Sequence, residues 1–208
     1  MKRDQQRKAA RRSNLITIGI AVVIIGAVTA FIITERGSKN EALKAPEGVP
    51  ASEAGCDDIE EHEEEGNEHV TAGTDVQYST IPPTSGDHWP PENVAQSGFY
   101  PDEVPEESLV HNLEHSQIVI WYDADAPGET VDNLEAFADS ANDPDSPGSG
   151  GEPIIVVPYG DVPEGKSYVL TAWTASQACG SYSLEAINDF RVEYQGQGPE
   201  KIAEPFEL

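Results

Sequence analysis

The side chains best suited to chemistry are five histidines, His62, His69, His88, His111 and His115, all ahead of the strongest predicted strand. His111 and His115 stand four apart in VHNLEHSQIVIWY. On a helical turn that spacing puts both imidazoles on one side, where they suit a single metal ion. Glu114 completes His-x-x-Glu-His, the order in which inverzincins hold zinc and activate its water through the glutamate. The predicted helix is only one or two turns long, and no downstream segment specifies a third protease ligand. The motif alone therefore does not establish a hydrolase. His88 follows Pro82-Pro83-Thr84-Ser85-Gly86, whose prolines restrict the backbone and can hold the imidazole in one place. His88, His111 and His115 are expected to converge, with His69 or Glu114 as a fourth ligand. Nitrogen donors in an acidic domain suit a divalent ion such as Zn²⁺ or Cu²⁺. The single methionine is Met1, which excludes a methionine-rich Cu(I) site. The competing reading bonds each imidazole to a backbone carbonyl or carboxylate and needs no ion. His62, inside an acid run, reads as exposed.

Cys56 and Cys179 are the only cysteines. An even pair fits one disulfide if the domain lies in an oxidising compartment. Free or metal-ligating thiols are the alternative. There is no Cys-x-x-Cys to support thiol–disulfide exchange. Gly-x-Ser-x-Gly, a phosphate-cradling glycine loop followed by Lys, and a dinucleotide fingerprint are also missing.

Charge is divided sharply along the 208 residues, whose net value is −26. Residues 1–34 carry six basic side chains and one acid, and the remainder six basic and 37 acidic. So few cations disfavour a nucleic-acid partner, because a phosphate backbone requires Lys/Arg neutralisation. Residues 15–34, LITIGIAVVIIGAVTAFIIT, contain no charge over 20 positions. A helix of that length, at about 1.5 Å per residue, crosses the roughly 30 Å hydrocarbon core. The run exceeds the apolar region of a cleaved signal peptide, about 7–15 residues. The basic residues before it place 1–14 in the cytoplasm and the rest outside. Residues 35–55 read as a linker, 56–200 as the extracytoplasmic domain and 201–208 as a tail. The protein partner is not legible. Asp57–Glu68 holds eight acids and reads as a solvated, helix-compatible face.

The elements that must position the histidines follow from hydrophobic pattern. Gln77–Ile81 is a candidate short strand before the Pro-rich loop 82–101. Val110–His115 is long enough for one helical turn. Gln117–Tyr122, Pro153–Pro158 and Tyr168–Trp173 are β-branched, apolar runs and read as strands. Thr130–Ser140 and Ser183–Tyr194 show helical spacing. Strands interleaved with helices predict an α+β fold, a two-layer sandwich with a small mixed sheet and two or three helices after an N-terminal transmembrane helix.

Gly66–Val70 (GNEHV), Tyr78–His88 (YSTIPPTSGDH), Gly98–Tyr100 (GFY) and Leu109–Ile118 (LVHNLEHSQI) together resemble domain-of-unknown-function family 3105. Its members have a short basic N-terminus, one membrane helix and an extracytoplasmic domain. The resemblance covers about residues 56–200. Pro82, Pro83, Thr84, Ser85, Gly86, His88, Gly98, Tyr100, His111, Leu113, Glu114 and His115 stand on its motif positions. Ser116 stands where the family has glycine, so a positive φ there would be strained. The resemblance implies membership and no mechanism. A signature concentrated on His, Glu, Pro and Gly in loops favours a site over core packing.

Three functions remain open at this level. One is a binding module holding a transition metal. The second is a metal-assisted hydrolase or oxidase with Glu114 as acid/base. The third is a structural or interaction domain with loop-bracing histidines. On location the expectation is an outer domain: protease shaving of intact cells should remove residues 35–208, and protection until lysis would overturn the topology.

Overall fold

The computed structural model describes residues 45–146, 151 and 153–207. The basic tail 1–14, the membrane helix expected at 15–34 and linker residues 35–44 lie outside the described residues. Among the described residues no helix is long and apolar enough to cross a membrane.

Strands β3 (Ile118–Tyr122) and β4 (Ile154–Pro158) are buried at every position. Successive side chains of a strand point to opposite faces, so such strands need cover on both sides. The two pair in parallel, Ile118 opposite Ile154 through Tyr122 opposite Pro158. A parallel pair requires a crossover, and helix α2 (Gly128–Asn142) supplies it. β5 (Tyr168–Ala172) runs antiparallel beside β3, and β6 (Ala175–Cys179) antiparallel beside β5. Two-residue strands close the edges, β1 (Glu60–Glu61) on β6 and β2 (Gly98–Phe99) on β4. Among the described residues the sheet is therefore six-stranded and mixed, in the order β1-β6-β5-β3-β4-β2.

Alternation along β3 divides the core. Ile118, Ile120 and Tyr122 face Leu134 and Phe137 of α2, and Leu184, Ile187 and Phe190 of α3 (Leu184–Tyr194). Val119 and Trp121 face Leu109, Val110 and Leu113 of α1 (Glu106–Glu114), with Tyr78 and Tyr100 from the irregular segments around it. The α+β class with a mixed sheet and three helices holds among the described residues. The two-layer expectation does not: helices cover both faces, because β3 has no side that tolerates water.

Other differences share a cause in packing. Gln77–Ile81 forms no strand, and its Tyr78 packs instead beneath α1. The acid run 57–68 contains no helix, and β1 within it pairs Glu60 with Ser176. Residues 45–55 are no linker. Ala54 is buried, Val49 N–H donates to Tyr182 O at 3.0 Å, and Leu184 N–H donates to Glu47 O at 3.0 Å. Nor is 201–207 a loose tail, since Ala203 and Phe206 are buried. β6 has no apolar run to announce it, because only its two end residues are buried.

Cys56 and Cys179 form a disulfide across 123 residues of sequence. Their Cα atoms are 3.9 Å apart, closer than the roughly 4.4–6.8 Å usual for such bridges. Closing so long a loop restricts the unfolded chain strongly. Replacing both cysteines by serine should lower the unfolding free energy by about 2–4 kcal/mol. Equal denaturant midpoints for the oxidised protein and the double variant would contradict this.

Candidate metal centre

Helix α1 carries the first two groups. Pro105 precedes it, and Glu106 and Glu107 occupy the first turn, where negative charge suits the helix dipole. Leu109, Val110 and Leu113 pack against the sheet. His111 and Glu114, three apart, share another face, with His111 Nε2 4.0 Å from Glu114 Oε2. Both side chains are buried.

The Pro-rich loop supplies the third. Pro82 through Gly86 are buried. Thr84 N–H donates to Thr80 Oγ1 at 3.0 Å, and Thr84 O accepts from Thr174 N–H at 2.9 Å. Ser85 Oγ accepts from Glu65 N–H at 3.0 Å. Gly86 has φ +132° and lies so close to Tyr78 that a Cβ would sit 2.7 Å from its ring. Only glycine fits, and the Gly86 carbonyl then meets His88 Nδ1 at 2.8 Å. The Gly98 and Tyr100 motif positions act further off: Gly98 is in β2, and Tyr100 N–H donates to Val156 O at 2.8 Å.

His69 arrives on an extended segment bridged to the loop. His88 N–H donates to Glu68 O at 3.1 Å, and Val70 N–H to His88 O at 2.8 Å. The ring centroids of His69, His88 and His111 form a triangle with sides of 5.1, 4.9 and 4.6 Å. One ligand atom from each of these rings and one oxygen of Glu114 all lie within 4.8 Å of one another. This set of three histidines and one glutamate could hold a metal ion. A tetrahedral zinc site with bonds of about 2.0–2.1 Å has donors about 3.3 Å apart. His88 Nε2 and Glu114 Oε2, at 3.1 Å, already have that spacing.

The proton positions follow from partners. A carbonyl only accepts, so the Nδ1 of His88 carries the hydrogen given to Gly86 O. His111 Nδ1 likewise donates to Trp89 O at 2.6 Å. In each neutral ring the lone pair is therefore on Nε2, the atom nearer Glu114. Burial lowers the His111 imidazole to about 4, the Trp89 hydrogen bond opposes this, and the neighbouring imidazoles add to the depression. The ring is neutral at pH 7, as a metal ligand must be.

His115, expected beside His88 and His111, is not among the four. It caps α1, and its Nε2 turns to Glu200 Oε2 at 3.3 Å. Its ring still touches that of His111, centroid to centroid 4.6 Å. Burial lowers its imidazole as well, with Glu200 and Glu114 pulling the other way. The i, i+4 spacing does bring the two rings together, but His115 Nε2 takes the Glu200 carboxylate rather than joining the cluster. His62 is half-buried and bonds Ser176 Oγ at 2.9 Å, so it belongs to the β1–β6 edge.

Sequence reasoning missed the supports. The carbonyls of Gly86 and Trp89 carry no side-chain signal. Asn112 had one, a polar residue inside the signature. Its side chain accepts from Ala95 N–H at 3.1 Å and donates to Ala95 O at 2.8 Å and Gln117 Oε1 at 2.6 Å. This locks α1 to the loop that carries Trp89. Glu200 lies 84 residues beyond Ser116, to whose hydroxyl its carbonyl is bonded, and nothing local links the two.

A family model described as protein of unknown function (DUF3105) matches residues 69–205. The chain belongs to DUF3105. The match begins at His69, so all four clustered groups lie within the DUF3105 region. It also takes in the segment bearing Glu200 and leaves out Cys56 and the acid run. The DUF3105 glycine expected after His115 is Ser116 here, and its φ is +68°. No curated protein and no solved structure matches the chain.

The His111 environment has a pH consequence. In the unfolded chain the imidazole titrates near 6.5. Between about 6.5 and 4 the unfolded state binds more protons at this position, so the metal-free domain loses stability as pH falls through that window. With chelator present, the fall in urea midpoint from pH 6.5 to 4.5 should be smaller for His111→Gln than for the native sequence. An identical fall in both would refute the assignment.

Proposed function

We propose that this DUF3105 chain is a metal-binding module, with one transition-metal ion held by His69, His88, His111 and Glu114. The observation that carries this is the meeting of His88 and Glu114. The one hydrogen of a neutral His88 ring goes to Gly86 O, so its Nε2 lone pair and the Glu114 carboxylate oxygen face each other at 3.1 Å. Two acceptors at that distance repel unless something positive lies between them. A proton would satisfy this pair. A divalent ion would satisfy it together with His111 Nε2 and His69, whose ligand atoms share the same 4.8 Å neighbourhood.

The donor chemistry favours Zn²⁺ or Cu²⁺, which accept imidazole nitrogen and carboxylate oxygen. The Nδ1–carbonyl bonds of His88 and His111 match the outer support usual for metal-bound histidine. Glu114 is better placed as a ligand than as a free acid/base, since its Oε2 is the oxygen between the two rings. This favours the binding reading over a hydrolase or oxidase. The uncharged run at 15–34 and the preceding basic residues support a membrane tether with the domain outside. The disulfide is consistent with that compartment.

Isothermal titration of the purified chain with Zn²⁺ and with Cu²⁺ tests the site. One of them should bind, and His88→Ala or His111→Ala should each weaken it by at least the roughly 10–100-fold that loss of an outer support costs. His62→Ala should leave affinity unchanged. Absence of binding, or binding that survives both substitutions as uptake by Asp57–Glu68 would, refutes the reading.

A further inference from the structure

Helix α1 ends beneath residues 196–206. The last carbonyls of a helix have no partner within it. Here Asn112 O accepts from Gln117 N–H at 3.1 Å and Leu113 O from Ser116 N–H at 3.0 Å, both local bonds. The next two are served from 80 or more residues away. Glu114 O accepts from Glu200 N–H at 2.9 Å, and His115 O from Ala203 N–H at 2.9 Å. Ser116 joins on both sides: its carbonyl accepts from Gly196 N–H at 3.0 Å, and its hydroxyl donates to Glu200 O at 2.6 Å.

The approach is tight. A Cβ on Gly198 would lie 2.6 Å from Leu113 O, 2.7 Å from Glu114 O and 2.9 Å from Ser116 N. All three are backbone atoms that cannot swing aside. The far end is fastened separately. Phe206 is buried, with the Arg191 guanidinium carbon 3.7 Å from its ring centroid. Arg191 Nε donates to Gln195 Oε1 at 2.9 Å, and Gln195 Nε2 to Glu204 O at 2.7 Å. On the same segment, Glu200 places its carboxylate against His115.

We propose that residues 196–206 are a positioning strap for the metal centre and that its docking and metal occupancy are reciprocally coupled. The inference rests on the metal-binding reading. Glu114 is the residue in both arrangements: its side chain faces His88 and His111, and its carbonyl holds the strap. A docked strap keeps the last turn of α1 wound and Glu114 aimed at the imidazoles. An ion bound to Glu114 in turn holds that turn and so keeps the strap down. Linkage requires the two effects to be equal.

The test uses the full-length chain and Zn²⁺ or Cu²⁺, whichever ion titrates. Amide hydrogen exchange at Glu200 and Ala203 should slow by at least about fivefold when the ion is added. Phe206→Ala should weaken the ion by a similar factor, while Ile202→Ala, an exposed position on the same segment, should not. If the native chain shows no histidine-dependent binding, the metal reading itself fails and the strap with it. If binding is present but exchange at both amides is unchanged, the strap proposal alone is overturned, whatever the stability of Phe206→Ala. Equal weakening by Phe206→Ala and Ile202→Ala overturns it too.

Discussion

Helix α1 ends inside the protein, and the carbonyls at that end must find donors there. An unpaired carbonyl in such a place costs about 1–3 kcal/mol. The surrounding arrangement answers that demand. Ser116 turns into the left-handed region so that the next N–H, that of Gln117, can close on Asn112 O. That conformation costs a non-glycine residue about 1–2 kcal/mol. The Ser116 hydroxyl bond to Glu200 O, which glycine could not make, offsets part of it. The remaining carbonyls draw in the C-terminal segment, and Gly198 is the residue small enough to let it approach.

Electrostatics bears on the same place from another direction. The chain is strongly acidic, yet the candidate centre collects three imidazoles around one carboxylate. A buried carboxylate is costly unless something positive or hydrogen-bonding meets it. Glu114 Oε2 meets His88 Nε2, whose ring hydrogen is already given to a carbonyl. The surplus of acid elsewhere attracts cations to the surface without arranging donors for them. What separates the centre from the acid run is direction: loop and helix aim imidazole nitrogen at one point.

Much of this was legible beforehand. The apolar runs at Ile118–Tyr122 and Ile154–Pro158 read as strands because β-branched and aromatic residues leave no polar side, and both are fully buried. The signature around Pro82–His88 and Leu109–His115 identified the segments that meet, and the family match covers them. What misled was spacing. The i, i+4 pair does bring the His111 and His115 rings together, but Glu200, distant in sequence, takes the His115 Nε2. His111 and Glu114 became neighbours at i, i+3, and His115 went to the cap. β6 and the packed segments 45–55 and 196–206 lacked hydrophobic period, because their places depend on backbone hydrogen bonds that any residue can make.

The order of residues is enough to give the sheet's central strands, the two longer amphipathic helices, the charge asymmetry and the residue types available to a metal. These are properties of composition and of short-range periodicity, and they survive without knowledge of contacts. Tertiary structure alone decided which histidines converge, which nitrogen of each ring faces inward, and that Glu200 would lie against His115. Those outcomes depend on long-range closure: His69, His88 and His111 come from three separate segments, with His111 bonded to the Trp89 carbonyl and the His88 backbone bonded to Glu68 and Val70 beside His69. Side-chain chemistry can be read from a single residue, whereas direction exists only once the backbone around it has been placed.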